Sequence, residues 1–312
     1  MYAPIALFVY NRVDFFQKTF EALKMCLDAD KSDLFIFSDG PKNDKARSAV
    51  EQIRCILKDL SSDNSFHKVT IVNSETNKGL ATSIIEGVSS VIFEYGQVIV
   101  LEDDCLPSPY FLRYMNDALE YYENDKTIGS IAGYAEVIDL PDDYCDDVYL
   151  SRRSCSWGWS TWADRWAGVD WELKRVSRLF KSPKLIHRLN EDGSDRLMRL
   201  YRQTKKNTQS WSIRFGAYHI LNDWYVVNPR FSYVYNIGDD GSGVHTKKGE
   251  LTRQYDLSLA IKDPHMKDLV YERRIQKSLK EKASPGVLTE CKRLIAAVVI
   301  VVKTNLSSFF GH

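Results

Sequence analysis

The sequence has no surplus of either charge: Lys plus Arg and Asp plus Glu each total 42 in 312 residues. A balanced chain has no general attraction for polyanions, so no nucleic-acid partner is expected and any basic patch must be sought locally. A C-x-x-C pair is also missing. The six cysteines (Cys26, Cys55, Cys105, Cys145, Cys155, Cys291) are scattered and have no histidine-rich companion. That spacing argues against a zinc, iron–sulfur or disulfide framework and predicts reduced thiols in a cytosolic protein. No basic segment precedes the apolar run Ile5 to Tyr10, so no secretory leader is expected. The first turn reads Tyr10-Asn11-Arg12 where a dinucleotide fold would carry G-x-G-x-x-G, which argues against an NAD site. No internal repeat or low-complexity segment is present.

What is present is a composition of 44% hydrophobic and 12% aromatic residues, enough for a substantial core. Short β-branched or aromatic runs alternate with amphipathic segments: Ile5 to Tyr10, Asp14 to Leu27, Leu34 to Phe37, Asn43 to Leu60, Lys68 to Val72, Leu80 to Tyr95, Gln97 to Leu101. This alternation predicts βαβαβαβ with a parallel sheet. A helix is expected over Pro109 to Glu123, with Ser108 as N-cap and Pro109 as first helical residue. Regularity then ends. Strand-like Gly129 to Gly133 precedes an acidic loop, Asp139 to Asp147, a Trp-rich stretch from Trp157 to Trp171 and a basic helical region, Ser182 to Lys206. A helix near Trp211 to Leu221 and strands near Trp224 to Val227 and Phe231 to Tyr235 lead to the turn-rich Gly238 to Gly243.

Glu102-Asp103-Asp104 follows the apolar run Val98 to Leu101 directly. Ligands of open α/β sheets bind at the carboxyl ends of strands, and adjacent carboxylates there repel unless a cation or proton relieves them. A hard, oxygen-seeking ion such as Mg²⁺ or Mn²⁺ suits such a site. A metal-dependent phosphoesterase would need a second cluster of His and Asp ligands, which the sequence does not offer. Trp157 and Trp159 flank Gly158, so an extended segment would turn both rings to one face, either as a sugar platform or packed into the core. Trp162 and Trp166, four apart, are expected in the core.

Several segments in order resemble the GT-A glycosyltransferases: Phe8-Val9-Tyr10-Asn11-Arg12, Ser38-Asp39-Gly40, Asn77-Lys78-Gly79-Leu80, Glu102-Asp103-Asp104, Ser156-Trp157-Gly158-Trp159, Ser210-Trp211-Ser212-Ile213-Arg214, and Asn236 to His245. The pattern is similar to bacterial family 2-like sugar transferases of surface-polysaccharide clusters, and more distantly to the N-acetylglucosaminyltransferase that initiates complex N-glycans. The resemblance implies an α/β fold of GT-A type: a Rossmann-like, mostly parallel nucleotide-binding half (1–105) continuous with an irregular acceptor half (106–250). It implies a nucleotide-sugar donor, UDP-linked, held by Asn11, Arg12, Asp39, Lys78, Glu102 and Asp103. Mn²⁺ or Mg²⁺ would sit on Asp104 and His245, with Trp157, Trp159, Trp211 and Arg214 facing a saccharide or lipid-linked acceptor. Inverting transfer needs a carboxylate base. Relatives place an aspartate near the segment that here reads Gln209-Ser210-Trp211-Ser212, which leaves Gln209, Asp239, Asp240 or Asp195 as candidate positions. A retaining mechanism, or a chain that binds sugar nucleotide without turnover, stays open.

Residues 251–312 read as a C-terminal helical extension. Its apolar run Leu294 to Val302, flanked by Lys292, Arg293 and Lys303, falls well short of the about 20 residues that span a bilayer. An interfacial helix at the inner face of the cell membrane, or docking on protein, are both open.

Overall fold

The computed structural model describes residues 2–60, 63–204, 210–238, 254–283 and 286–309. The first part runs β1 (Ile5–Val9), α1 (Val13–Lys24), β2 (Asp33–Ser38), α2 (Asp44–Leu60), β3 (Lys68–Asn73), α3 (Leu80–Tyr95) and β4 (Gln97–Glu102), the alternation expected from the sequence. There follow β5 (Cys105–Pro107), α4 (Phe111–Tyr122), β6 (Ile128–Ala132), β7 (Val148–Ser151), β8 (Trp159–Trp162) and α5 (Ala163–Trp166). The remainder comprises α6 (Val176–Lys181), α7 (Pro183–Leu189), α8 (Arg196–Thr204), α9 (Trp211–Leu221), β9 (Tyr225–Pro229), β10 (Val234–Asn236), α10 (Arg273–Ala283) and α11 (Val287–Phe309).

One eight-stranded sheet has the order β3-β2-β1-β4-β8-β6-β9-β7. β1, β2, β3 and β4 pair in parallel, as do β6 and β9, while β8 and β7 run antiparallel to their neighbours. The architecture is therefore α/β with a mostly parallel sheet. Side-chain alternation divides the core. Ile5, Leu7, Ile99 and Leu101 face α1 and α4, whereas Ala6, Phe8, Val98 and Val100 face α3 and the tryptophan cluster. Both faces being covered explains why β1 and β4 read as continuous apolar runs. A third cluster, including Leu197, Leu200, Ile213 and Ile300, joins α6, α8, α9 and α11.

Two local expectations change. The helix expected from Pro109 begins at Phe111, because Cys105–Pro107 is drawn out as β5 against β10 and the Ser108 amide bonds the Tyr233 carbonyl at 2.8 Å. The Trp-rich stretch contains a buried strand, β8, which crosses from β4 to β6 and joins the two halves into one sheet.

All six cysteines are free. Among the described residues, no helix is long and apolar enough to cross a membrane.

Candidate functional site

A cleft of about 1330 Å³ opens along the carboxyl ends of β1, β2 and β4, where open α/β sheets bind ligands. Its first wall carries Asn11 and Arg12 after β1, Asp39 after β2, Lys78 before α3, and Glu102, Asp103 and Asp104 at the end of β4. Thr19 of α1 donates from Oγ1 to the Asp103 carbonyl at 2.9 Å and pins the acidic turn to the helix. Arg12 lies over both aspartates. It pairs with Asp103 and, through Nη1, with Asp104 Oδ2 at 2.7 Å. Burial alone would lower the Arg12 guanidinium, but the two carboxylates outweigh it and hold it above its ordinary value. Burial pushes the Asp103 carboxyl up against the opposing pull of Arg12, and burial together with Asp104 and Asp103 pushes Glu102 up. The resemblance assigns Arg12 to the nucleotide; in the structure it turns to the acids, since crowded carboxylates at a strand end require a counter-charge.

Asp39 is likewise committed within the chain. Oδ1 accepts from the Gly40 and Lys78 amides at 2.8 and 2.9 Å, and Oδ2 accepts from the Gly79 amide at 2.9 Å and Asn77 Nδ2 at 3.0 Å. Four donors fill the acceptor positions of a carboxylate. Asp39 therefore shapes the turn that opens α3, and it has no acceptor left over for a ribose. Gly40 is required there because a Cβ would meet the Thr76 carbonyl carbon at 2.5 Å. Lys78 Nζ reaches Glu86 at 2.6 Å on the outer edge.

The second wall is built from the segment after β7, α8 and the start of α9. Arg153, Arg196, Arg199 and Arg202 line it, together with Trp157, Ser210, Trp211 and Ser212. Arg196, Arg199 and Arg202 recur every three residues, which puts them on one face of α8. Sequence reading registered a basic helical region but did not single out this face, although Arg-Leu-Met-Arg-Leu-Tyr-Arg carries the signal. Glu136, after β6, also lines the cleft; among the described residues the cleft's other carboxylate outside the first wall is Glu86 of α3, which is paired with Lys78. Glu136 sits in a connection without periodicity, so nothing in the sequence pointed to it.

The expected tryptophan pair separates. Gly158 has φ +61°, which breaks the extended alternation, and a Cβ there would meet Val234 Cγ2 at 2.6 Å. Trp157 stays half-buried in the cleft, edge-on to Tyr134 with centroids 4.7 Å apart. Trp159 is buried in the core, where it stacks on Trp166 and Trp211 at 5.7 and 4.9 Å. Trp211 is also largely buried, although it contributes to the lining of the cleft. Arg214 points away, donating from Nη1 to the Trp171 carbonyl at 2.8 Å. Trp162 and Trp166 are core residues, as their spacing implied.

Asp195 forms a two-pronged pair with Arg153, at 2.9 and 3.3 Å. Burial works the other way, but Arg153 and Arg199 hold its carboxyl well below the usual range, which makes it a poor proton acceptor. Gln209, Asp239, Asp240 and His245 lie outside the described residues.

The acidic turn fits a divalent ion in its donor chemistry. Asp103 Oδ2 is buried without a hydrogen-bond partner, and Asp104 borders the cleft. Two carboxylates offer the oxygen ligands that Mg²⁺ and Mn²⁺ take, with room in their shells for oxygens of a bound ligand. Among the described residues, no group of three or more His, Cys, Asp or Glu side chains could enclose a metal.

Comparison with known proteins adds a family match over part of the chain. The profile described as Glycosyl transferase family 2 matches residues 5–142, the stretch that contains the whole first wall. No curated protein matches the chain. Among solved structures, residues 1–349 of S. aureus TarS are similar at 10% identity and TM-score 0.43, over 75% of this chain and 60% of that one. The same protein in complex with UDP-GlcNAc gives 12% and 0.43, over 83% and 61%. Mannosyltransferase PcManGT from Pyrobaculum calidifontis, in complex with GDP-Man and Mn²⁺, gives 12% and 0.35, over 71% and 70%. The chain thus spans about 60% of the length of the TarS 1–349 fragment it matches.

Proposed function

We propose that this chain, whose residues 5–142 match the glycosyl transferase family 2 profile, transfers a sugar from a UDP-linked donor to a saccharide or lipid-linked acceptor in surface-polysaccharide synthesis, with inversion. The observation that carries the reading is the acidic strand end of β4, facing a second and differently built wall across one cleft. Residues 1–105 bind the donor and 106–250 the acceptor. Asp104, with Asp103 beside it, would hold Mn²⁺ or Mg²⁺, and the ion supplies stabilisation of the charge on the departing diphosphate. The first turn of α3 borders the cleft and favours phosphate by its dipole. Trp157 offers a ring face to the sugar. Glu136 takes the proton of the attacking hydroxyl, since it is placed in the cleft and is not committed to the acidic turn.

A thermal-shift screen of nucleotide sugars with and without Mn²⁺ tests the donor site. A true donor raises the melting temperature by mass action, and a metal-bridged one does so only with the ion. No shift with any uridine nucleotide in Mn²⁺ would end the proposal. A second reading, a sugar-nucleotide-binding component without turnover, is motivated by the absence of an acid from Ser210-Trp211-Ser212. Detecting transfer in purified wild type eliminates it.

The C-terminal extension 251–312 would dock the enzyme at the inner, cytoplasmic face of the membrane. Ile300 of α11 packs into the core, while Leu294, Ile295, Val298 and Val302 are exposed along the same helix near Lys292. An outward apolar stripe with basic neighbours suits an anionic lipid surface. Co-sedimentation with phosphatidylglycerol vesicles, lost in Ile295→Glu/Val298→Glu, checks this; equal sedimentation of both proteins would refute it.

A further inference from the structure

The arginine face of α8 is unusual in its charge balance. Arg196 is 2% exposed, and its Nη1 donates to the Arg152 carbonyl at 2.6 Å. Among the described residues, no carboxylate oxygen lies within ion-pair distance of it. Burial first, and then the charge of Arg153, pushes its guanidinium down to about 10, the mark of a cation short of counter-charge. Asp195 is spoken for by Arg153 at 2.9 Å and by Arg199 at 3.6 Å. Arg202 is exposed and has no acidic partner among the described residues. Four cations thus face one region of the cleft, against Asp195 and the buried Asp192 behind them and Glu136 beside them, which leaves a net positive charge of about one. The first turn of α9, an eleven-residue helix, lines the same region through Ser210, Trp211 and Ser212, and its dipole adds to that field.

We infer that this face is an oxyanion subsite that takes a phosphate group borne by the acceptor. The inference rests on the transferase reading for the word acceptor, and on the arginine geometry alone for the phosphate. Guanidinium groups match phosphate oxygens in paired hydrogen bonds, and an anion answers the positive balance of the wall. The metal-binding acids lie on the opposite wall, so a phosphate here would be additional to the donor diphosphate.

Calorimetry on the full chain tests this, with glycerol phosphate as the probe. Protein saturated with UDP and Mn²⁺ is expected to bind it still. Arg199→Gln/Arg202→Gln, both exposed positions, should weaken that binding about tenfold or more while leaving UDP affinity within about twofold. Loss of glycerol phosphate binding on saturation with UDP would place it on the donor wall and overturn the inference; so would unchanged affinity in the double variant, or no binding at all. If UDP itself fails to bind, the donor reading fails, and titration of glycerol phosphate alone still tests the arginine face. Phosphatidic acid in phosphatidylcholine vesicles is the companion probe. Competition by glycerol phosphate for those vesicles in wild type, lost in the double variant, supports a lipid-borne phosphate; binding of the soluble probe alone supports a soluble one.

Discussion

The two walls of the cleft are made by opposite means. The first is made at strand ends: β1, β2 and β4 stop in register, and short turns place Arg12, Asp39 and Asp104 with backbone amides and carboxylates that mostly satisfy one another. The second is made by one face of a helix, whose arginines exceed their acidic partners. Turn geometry gives the first wall its shape and an acidic strand end that Arg12 offsets only in part. Side-chain spacing gives the second wall charge, held at a cost in desolvation that a bound anion would offset.

Substitutions can break this contrast one wall at a time. The largest effect is expected from Glu136→Gln, which should lower kcat about a thousandfold while leaving UDP binding intact; unchanged turnover would remove Glu136 as base. Next is acid stability on the second-wall side, where His219 of α9 is buried with Nδ1 donating to the Phe215 carbonyl at 2.9 Å and Nε2 accepting from Ser130 Oγ at 3.0 Å. Burial lowers its pKa from 6.5 to about 4. A base with a depressed folded pKa contributes fully above 6.5 and loses that contribution as pH falls towards 4. Denaturant unfolding at pH 7 and pH 4 should therefore show a loss of about 3 kcal/mol assignable to this site, absent in His219→Gln. Asp104→Ala should reduce transfer about a hundredfold and abolish the Mn²⁺-dependent part of UDP binding while sparing glycerol phosphate; chelation with EDTA should match it. If Asp104→Ala weakened both probes alike, the two walls would not be independent. The smallest effect is expected from Asp39→Ala, about 2 kcal/mol in unfolding free energy, because buried amides lose their acceptor. A loss of nucleotide affinity without a loss of stability would reverse the structural role given to Asp39.

What was legible in the sequence follows the same division. Short β-branched or aromatic runs and period-3.6 patterns announced β1 to β4 and their helices, and the acid run after β4 announced the first wall, because strand ends and turns are local events. The use of Asp39 was hidden, since its donors at 77 to 79 are brought close only by pairing of β2 with β3. The Trp157/Trp159 platform failed on one residue: a positive φ at Gly158 is invisible in an alternating pattern. Glu136 and the α8 arginines converge on the cleft only through β8, whose place between β4 and β6 no local pattern encodes.

That same strand has a mechanical consequence. With β8 laddered to β4 on one side and β6 on the other, hydrogen bonding runs without a gap from β3 to β7, and the sheet contains no seam along which the halves could rock. The spacing between the walls is then set when the sheet forms. Adjustment to substrates of different girth falls to rotamers and to chain outside the ladder, so selectivity here works as a fixed gauge more than as a jaw.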